Sequence, residues 1–579
     1  MHQATPAKNT LRPDMIHALQ SSGIDLDSKM VGALPIINHF LSRLDVASLF
    51  DRHVPAHKKQ KLTYSDTLMI MIRNILIERE PIYEIGEWAA LNDPHLVGLG
   101  DRDQRILTDD RFGRSLDALF MADRATMTTE FVLAMLKTFD VDVTQLHNDS
   151  TTVTVTGDYD APTKLRGKTS IELRHGHNKD HRPDLKQLLF TLTISRDGAV
   201  PVHFKTYSGS VTDDTTHIET WESLRRLIGH PRFTYVADCK LCTRVQMDHI
   251  HRAHGKFITV MPRSRGEDKI FRKLMRDKHR LDWRELRRQQ KGASPDGEED
   301  VYWGVESPSP SVEGYRILWI LSSQKREHDA LTRQRKIEKT ITQLDELKEK
   351  VGKRQLKTKE QITEAIGDVL RKNGSEEWFD WQLVSHEIAT YKQSGKGRPG
   401  KDTQYERQLA THWTFTAFPA EGRIQDAATD DGIFPLITNH GLTELSACEV
   451  LEKYKYQPFI EKRHEQLKSV FDAAPVFFKL PYRVEALMFV YFIVLVVNAL
   501  IERDLRRAMK AQKVESLPLY PEDRLCRSPT TERVITLFRG VRRHILKLEN
   551  KELRTFKDDI SPLQSKVLSL LGVSDTTYR

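Results

Sequence analysis

Three acidic residues, together with a Tyr and a Lys near the third, are the residues of this sequence whose types and spacing are typical of a catalytic site. Asp149 lies in the segment LHNDSTT, Asp238 ends the segment YVAD, and Glu461 lies midway between Tyr454 and Lys468 at seven-residue intervals. Seven residues are about two helical turns, so Tyr454, Glu461 and Lys468 share one face of a helix unless the intervening proline bends it. Carboxylates from distant segments beside a Tyr and a Lys are what metal-dependent phosphodiester cleavage requires.

The carboxylates suit magnesium. Two Mg²⁺ ions about 3.5–4 Å apart can activate the attacking oxygen and stabilise the leaving one. Mg²⁺ takes oxygen ligands and keeps waters, so two or three carboxylates suffice; Mn²⁺ would substitute. We assign Asp149 as the ligand that bridges both ions, with Asp238 and Glu461 holding one ion each. Lys468 would contact a phosphate near the scissile bond, and Tyr454 would bind a phosphate or stack on a base.

Each residue also has a simpler interpretation. A single Asp at the end of a strand is usually a turn or cap residue, and a Glu on a charged helix is usually solvated. The joint pattern favours a site, because both Asp residues follow predicted strands and the Tyr–Glu–Lys helix lies downstream of them.

Composition bounds the class of protein. The 579 residues suggest several domains, and 39% hydrophobic with 29% charged residues indicates a globular protein. A net charge of +8 and a pI near 9.0 favour a polyanionic partner. Four Cys argue against a disulfide framework, and Cys239 and Cys242 are interpreted as ordinary thiols.

The termini and the most apolar segment predict a cytoplasmic, nucleoid-associated protein that does not enter the membrane. Residues 1–12 are polar, so we expect no signal peptide. The apolar stretch 486–501 is shorter than the roughly 20 residues that span a bilayer, and it is flanked by charges. It is predicted to be a buried core helix.

Periodicity divides the chain into an α/β core with helical flanks. Residues 1–137 are predicted to be a helical N-terminal domain whose basic loop, 57–63, could bind DNA. Residues 138–264 show the order β-β-β-α-β-α-β of a ribonuclease-H-like core. In that fold the first and fourth strands are neighbours, so Asp149 and Asp238 would meet.

A large insertion is predicted to interrupt this core at residues 265–430. It should contain paired strands, a charged helical hairpin over 324–372 and a basic loop at 394–401. The second part of the core is predicted to follow at 431–512, with Thr443 as a helix N-cap, and a helical C-terminal region at 513–579.

The acidic motifs resemble those of DDE transposases of bacterial insertion sequences, in the insertion-sequence-four superfamily and its sixteen-thirty-four-like branch. The helix of that superfamily carries a Tyr, an Arg three residues on, a Glu four further and a Lys seven further. Here those positions hold Tyr454, Gln457, Glu461 and Lys468. Gln457 keeps the hydrogen bonding of the Arg but loses its charge.

A second segment supports the resemblance, which covers roughly residues 30–510. Residues 176–187 read GHNKDHRPDLKQ and look like the branch's own signature. The charge missing at Gln457 would have to come from Arg463 or Lys455, although neither occupies the matching position.

The resemblance implies cut-and-paste transposition. The enzyme would bind terminal inverted repeats, cut the DNA and join the ends to target DNA, as a homodimer on double-stranded DNA. It also implies a β-rich insertion between the second Asp and the Glu, for which the long stretch of chain between Asp238 and Glu461 leaves room.

In relatives the cut passes through a DNA hairpin whose flipped base stacks on an insertion Trp. Trp303 and Trp319 are the candidates here, although core packing is the simpler role for either.

The histidines of the signature segment leave two interpretations open. His175, His177 and His181 could hold a transition metal, but they lack a softer ligand. The alternative is a basic segment over the active site, in which Lys179 and Arg182 contact backbone phosphate.

Two other functions remain possible from the sequence. One is a DNA-binding remnant that no longer cuts, for which Gln457 leaves room. The other is a ribonuclease-H-like nuclease without strand transfer, against which the Tyr454–Lys468 pattern and the long insertion argue.

Overall fold

The computed structural model describes residues 24–55, 60–159, 161–176, 178–179, 182–277, 281–290, 299–353, 356–471, 478–548 and 551–578. The chain divides into two compact units. Unit 1 comprises the chain up to Ile258 and from Glu452 onward, and unit 2 comprises Thr259–Leu451. Unit 2 is thus wider at both ends than the insertion predicted at 265–430.

Helices dominate the N-terminal part of unit 1, as the apolar spacing predicts. They are α1 (Leu34–Arg43), α2 (Val46–His53), α3 (Tyr64–Ile77), α4 (Ile85–Leu91), α5 (Pro94–Val97), α6 (Asp109–Met121) and α7 (Arg124–Phe139). Side chains cap several of them: Thr63 and Asp66 form a capping box on α3, and Thr108 caps α6. The basic loop predicted at 57–63 lies partly outside the described residues.

The central sheet of unit 1 confirms the predicted strand order. Its strands are β2 (Gln145–Val155), β5 (Lys186–Ser195), β6 (Pro201–Ser208), β7 (Thr234–Ala237) and β8 (Lys256–Val260), arranged β6-β5-β2-β7-β8. Helices α8 (His217–Ile228) and α9 (Arg244–Arg252) connect the last three, and β3 (Lys164–Leu165) pairs with β4 (Lys168–Thr169). β2 pairs with β7 in parallel, so the first and fourth strands of the core are neighbours, as predicted.

The segments that return to unit 1 supply its core. They are α15 (Pro458–Glu465), α16 (Pro481–Ala511), α17 (Thr531–Phe538) and α18 (Pro562–Leu571). α16 is long and apolar enough to cross a membrane by length and composition, yet 94% of its most apolar window is buried. Its Phe489 packs against Phe50 and Phe204, with ring centroids 6.5 and 6.1 Å apart. It is the buried helix that the sequence predicts.

Both ends of unit 1 contain strands where helices were predicted. β1 (Ile24–Met30), β15 (Arg542–Leu548) and β16 (Lys551–Lys557) form one sheet in the order β1-β15-β16. These strands are polar and carry no strong helical or strand period. They form because β1 pairs antiparallel with β15, which lies near the opposite end of the chain, and local sequence cannot reveal such a partner.

A sheet of unit 2 has four strands, of which two are the paired strands predicted in the insertion, one lies in the predicted second part of the core and one was not predicted. They are β9 (Arg284–Gln290), β10 (Glu299–Glu306), β11 (Arg316–Ser322) and β14 (Ile433–Thr438), in the order β14-β11-β10-β9. Unit 2 also holds α10 (Gly266–Arg276) and α13 (Glu421–Ala428), and α14 spans Ala447–Tyr454. The cap of α14 is Ser446 rather than the predicted Thr443, because Ser446 and Glu449 bond each other's backbone N–H groups.

A helical hairpin and a long β-ribbon complete unit 2. The charged stretch forms α11 (Ser323–Lys348) and α12 (Lys359–Asn373), the hairpin that was predicted. β12 (Phe379–Gln393) and β13 (Tyr405–Pro419) pair antiparallel along their whole lengths, and we call residues 379–419 the ribbon. Residues 411–418 of β13 show the alternating pattern of a strand in the sequence, whereas β12 alternates weakly.

Candidate active site

The register of β2 and β7 sets Asp149 beside Asp238. His147 pairs with Val236 in the parallel ladder. Asp149 lies two residues beyond His147 and Asp238 two residues beyond Val236, so the two acidic residues occupy equivalent positions on neighbouring strands. Asp149 was predicted to end its strand, and this is wrong, because β2 continues along β5 to Val155. It lies just past the last residue that pairs with β7.

Asp238 also has the simpler role of a cap. It follows β7 directly, and its Oδ1 accepts a hydrogen bond of 3.0 Å from the backbone N–H of Lys240. It thereby caps the short 3₁₀ turn Cys239–Leu241. Capping occupies one lone pair of a carboxylate that has several, so it is compatible with binding a cation.

The segment around Glu461 is not the single helix predicted. α14 ends at Tyr454, α15 begins at Pro458 and carries Glu461 in its first turn, and Lys468 lies in a π-helical turn at Gln466–Val470. Pro458 lacks a backbone N–H and so interrupts the helical ladder. Glu461 is exposed, while Tyr454 and Lys468 are half-buried.

The Tyr454 phenol nevertheless lies within electrostatic range of the predicted carboxylates. Burial raises its pKa most, and nearby acidic side chains raise it further: Asp238, Cys239, Glu461 and Asp149. The phenol therefore stays protonated and can donate a hydrogen bond at neutral pH. Within the described ranges, however, no three His, Cys, Asp or Glu side chains approach closely enough to hold a metal ion. The carboxylates are neighbours, not a closed ligand set.

Two basic side chains flank Asp149. Lys179 Nζ lies 3.7 Å from its Oδ1, and His464 Nδ1 lies 3.6 Å from its Oδ2. Burial works to raise the pKa of Asp149, but His464 and then Lys179 outweigh it, so the pKa is lowered. Asp149 is thus a carboxylate at neutral pH, although its side chain is only 21% exposed.

His464 is the site residue that the sequence analysis missed. It is buried, and its Nε2 has no hydrogen-bond partner among the described residues. It follows Glu461 by three residues, a spacing that places both on neighbouring positions of one helix surface. That spacing was the available signal, but a His within the run EKRHE looks like part of a solvated face.

Gln457 was predicted to contact DNA, and the structure contradicts this. It is buried, its Oε1 bonds His147 Nδ1 at 2.9 Å, and its Nε2 donates to the backbone oxygen of Asn148 at 3.2 Å. Gln457 therefore attaches the start of α15 to β2, directly beside Asp149.

Arg463 does not supply the missing surface charge either. It is buried, its Nη1 lies 3.0 Å from Glu502 Oε2, and it donates to the backbone oxygens of Gly198 and Ala199. Its role is to hold α15 against α16 and the β5–β6 turn.

The signature segment reaches the site through Lys179. Besides approaching Asp149, Lys179 Nζ donates to the backbone oxygen of Ser150 at 2.6 Å. Arg182 is exposed and pairs with both oxygens of Asp184 at 2.9 and 2.7 Å. His175 is exposed, while His177 and His181 lie outside the described residues, so the proposed His cluster is untested.

The two tryptophans differ in what they can reach. Trp319 is fully buried and stacks on Phe271 with ring centroids 3.7 Å apart, so it cannot receive a base, and its role is core packing. Trp303 is half-buried and lines a shallow surface depression with Arg326 and Arg333.

One family model matches the N-terminal part of the chain. The family model "Domain of unknown function (DUF4277)" matches residues 26–133. No curated protein matches the sequence.

Solved structures of DNA transposases are among the structures that the comparison matches to this chain. A piggyBac transposase synaptic complex with hairpin DNA is 7% identical over 87% of this chain and 77% of its own, with a TM-score of 0.34. A Mos1 transposase paired-end complex is 10% identical over 31% and 58%, and a Mos1 mariner complex with Mn is 11% identical over 38% and 65%, both with TM-scores of 0.14. The chain spans less than two thirds of either Mos1 chain, and these TM-scores are too low to establish a shared fold.

Proposed function

We propose that the protein is a DDE-type DNA transposase with a ribonuclease-H-like core in unit 1. The observation that supports the proposal is that β2, which carries Asp149, and β7, which Asp238 follows, are neighbouring parallel strands, and that both Asp residues and Glu461 act electrostatically on the Tyr454 phenol, although the whole of unit 2 separates Asp238 and Glu461 in the sequence.

The residues fit Mg²⁺ by the chemistry of their donors, since all three are carboxylates and Asp149 is ionised. Asp149, Asp238 and Glu461 would hold the ions, and Mn²⁺ would substitute. When bound, the metal supplies positive charge at the attacking and leaving oxygens. The ligand set would have to close on binding DNA or metal, because it is open among the described residues.

The surrounding side chains would act on the DNA. Lys179 and Lys468 would hold phosphate oxygens on either side of the carboxylates, as ammonium groups commonly do. The protonated Tyr454 would donate a hydrogen bond to a phosphate. The exposed Arg182 would also bind a phosphate, which would replace Asp184 as its ion-pair partner. Trp303 is the remaining candidate for stacking on a flipped base.

The test is cleavage of a labelled duplex that carries the element's flanking inverted repeat. With Mg²⁺, wild type should cut at the repeat end and join the ends to a second duplex, whereas Asp149→Asn should bind but not cut. Chelation of the metal should stop cutting and leave binding. Asp248→Asn is the matched control, since its side chain is 19% exposed against 21% for Asp149 and lies outside the site.

Other outcomes identify the alternatives. Cutting without joined products would indicate a nuclease without strand transfer. Binding without cutting by wild type, with Mn²⁺ also tried, would indicate a DNA-binding remnant. The expected homodimer is tested by measuring the mass of the protein–DNA complex.

A further inference from the structure

The base and the outer half of the ribbon have different surroundings. At the base, Phe379 and Phe415 are buried in a cluster with Leu344, Ile362 and Ile366 of the helical hairpin. From 384 to 412, all of which the structure describes, no residue is buried. The outer half therefore projects beyond the hairpin that anchors the base.

Apolar and aromatic groups lie exposed on this outer half. Tyr391 is 67% exposed, Tyr405 52% and Leu409 60%. The strand register places these three on the face that carries Phe415 at the base. A two-stranded ribbon with free edges is marginal in water and prone to pair with other chains. A partner that covers this face would stabilise it.

The charge of the outer half indicates what that partner is. Residues 392–407 contain five basic and two acidic residues, a net charge of +3. The tip, residues 394–404, has exposed Lys396, Arg398 and Lys401. Opposite Tyr391 lies Arg407. Basic groups interleaved with aromatic ones suit a polyanion that also offers apolar surface, which duplex DNA does through its phosphates and thymine methyl groups.

We propose that the outer half of the ribbon lies in the major groove of duplex DNA, with the basic tip on the phosphates. The major groove admits a two-stranded β-ribbon, whereas the minor groove is too narrow unless deformed. The strand from Val384 to Gln393 spans about 33 Å, close to one turn of B-DNA. The inference rests on the proposed function in naming DNA as the partner, and it adds the surface that grips it.

The test compares DNA binding by the full-length protein with and without the tip charges. The variant is Lys396→Gln/Arg398→Gln/Lys401→Gln, whose substitutions lie in the loop and leave strand pairing intact. Binding to a mixed-sequence duplex is measured between about 50 and 200 mM salt. Ca²⁺ replaces Mg²⁺ in the buffer, so that binding is measured without cleavage of the DNA. We expect the slope of log K against log salt to become less steep by about 2–3, since each phosphate contact contributes about 0.9.

A control triple variant removes the same charge elsewhere in unit 2. Arg335→Gln/Lys339→Gln/Lys350→Gln changes three exposed side chains of the helical hairpin and its end. It should leave the slope near that of wild type. An equal slope for tip and control variants would overturn the proposal, whether or not the wild type cuts DNA. If the tip variant shows the less steep salt dependence but the wild type does not cut DNA, the result would count against the proposed function and not against the role of the ribbon.

Two further readouts assign the groove and the partner. Tyr391→Ala/Tyr405→Ala should weaken binding about tenfold, and methylation of guanine N7 should interfere with wild-type binding, as major-groove contact requires. Interference confined to adenine N3 would overturn the groove assignment. If the tip variant binds DNA normally but loses a dimer seen for wild type, the ribbon joins two copies and the proposal is wrong.

Discussion

His464 stands 3.6 Å from Asp149 on the turn of α15 after Glu461, where it can orient the carboxylate that we assign to both metal ions. Groups that orient metal ligands commonly contribute about 10–100-fold to activity or metal affinity. We expect His464→Gln to lower cleavage by about that factor, to raise the Mg²⁺ concentration that cleavage needs and to leave DNA binding unchanged. His249→Gln, in α9, is the control. Unchanged cleavage and metal dependence would show that His464 only fills space.

His147 links the site to stability at acid pH. Burial lowers its pKa from 6.5 to about 4, chiefly because the charged form would be desolvated between β2 and Gln457. The unfolded chain takes up the proton first, so this contribution to stability is complete above about pH 6.5 and is lost as the pH falls toward 4. Thermal unfolding of His147→Asn should therefore depend less on pH across that window, by about 1–3 kcal/mol. Parallel curves for the two proteins would contradict this.

At the scale of elements, the buried pair of Arg463 and Glu502 joins α15 to α16. Removing one partner of a buried pair leaves an uncompensated charge and costs about 3–5 kcal/mol. Arg463→Met should lower the free energy of unfolding by that amount, as measured in urea, and Arg463→Met/Glu502→Leu should recover most of it.

A surface pair provides the comparison. Arg114 pairs with Asp110 at 2.9 Å, and both side chains are more than 60% exposed. Arg114→Met should cost less than about 1 kcal/mol. Equal costs for the two Arg variants would mean that the α15–α16 contact does not hold the site helix.

The elements also show what sequence could and could not predict. The alternating strands of the core and the apolar α16 were predictable, because their patterns reflect which faces are buried. β1 and β15 were not, since each is stabilised by a partner near the other end of the chain. In the candidate site, the carboxylates are predicted from their residue type and their place in the sequence. The sequence did not predict that Gln457 is buried or that His464 approaches Asp149. Residue spacing does not determine where these side chains point, because the helix is interrupted before Pro458.

At the scale of the whole molecule, the charge of +8 predicts salt-sensitive DNA binding. Each neutralised phosphate releases condensed counterions, so affinity falls with the number of contacts. We expect binding to the inverted-repeat duplex to weaken by at least about 100-fold between about 50 and 200 mM salt. Titration of labelled duplex by fluorescence anisotropy measures this. An affinity insensitive to salt would contradict a phosphate-rich interface.

The place of unit 2 in the sequence, between the two parts of unit 1, has a consequence for biosynthesis. A ribosome adding about 5–20 residues per second needs roughly ten to forty seconds to pass from Asp238 to Glu461. Throughout that interval the nascent chain carries two of the three carboxylates, while the apolar faces that will enclose α16 are still uncovered. On the proposed function, the nascent chain would not cut DNA until α15 has been synthesised, and its uncovered apolar faces would make it prone to aggregate in the interval.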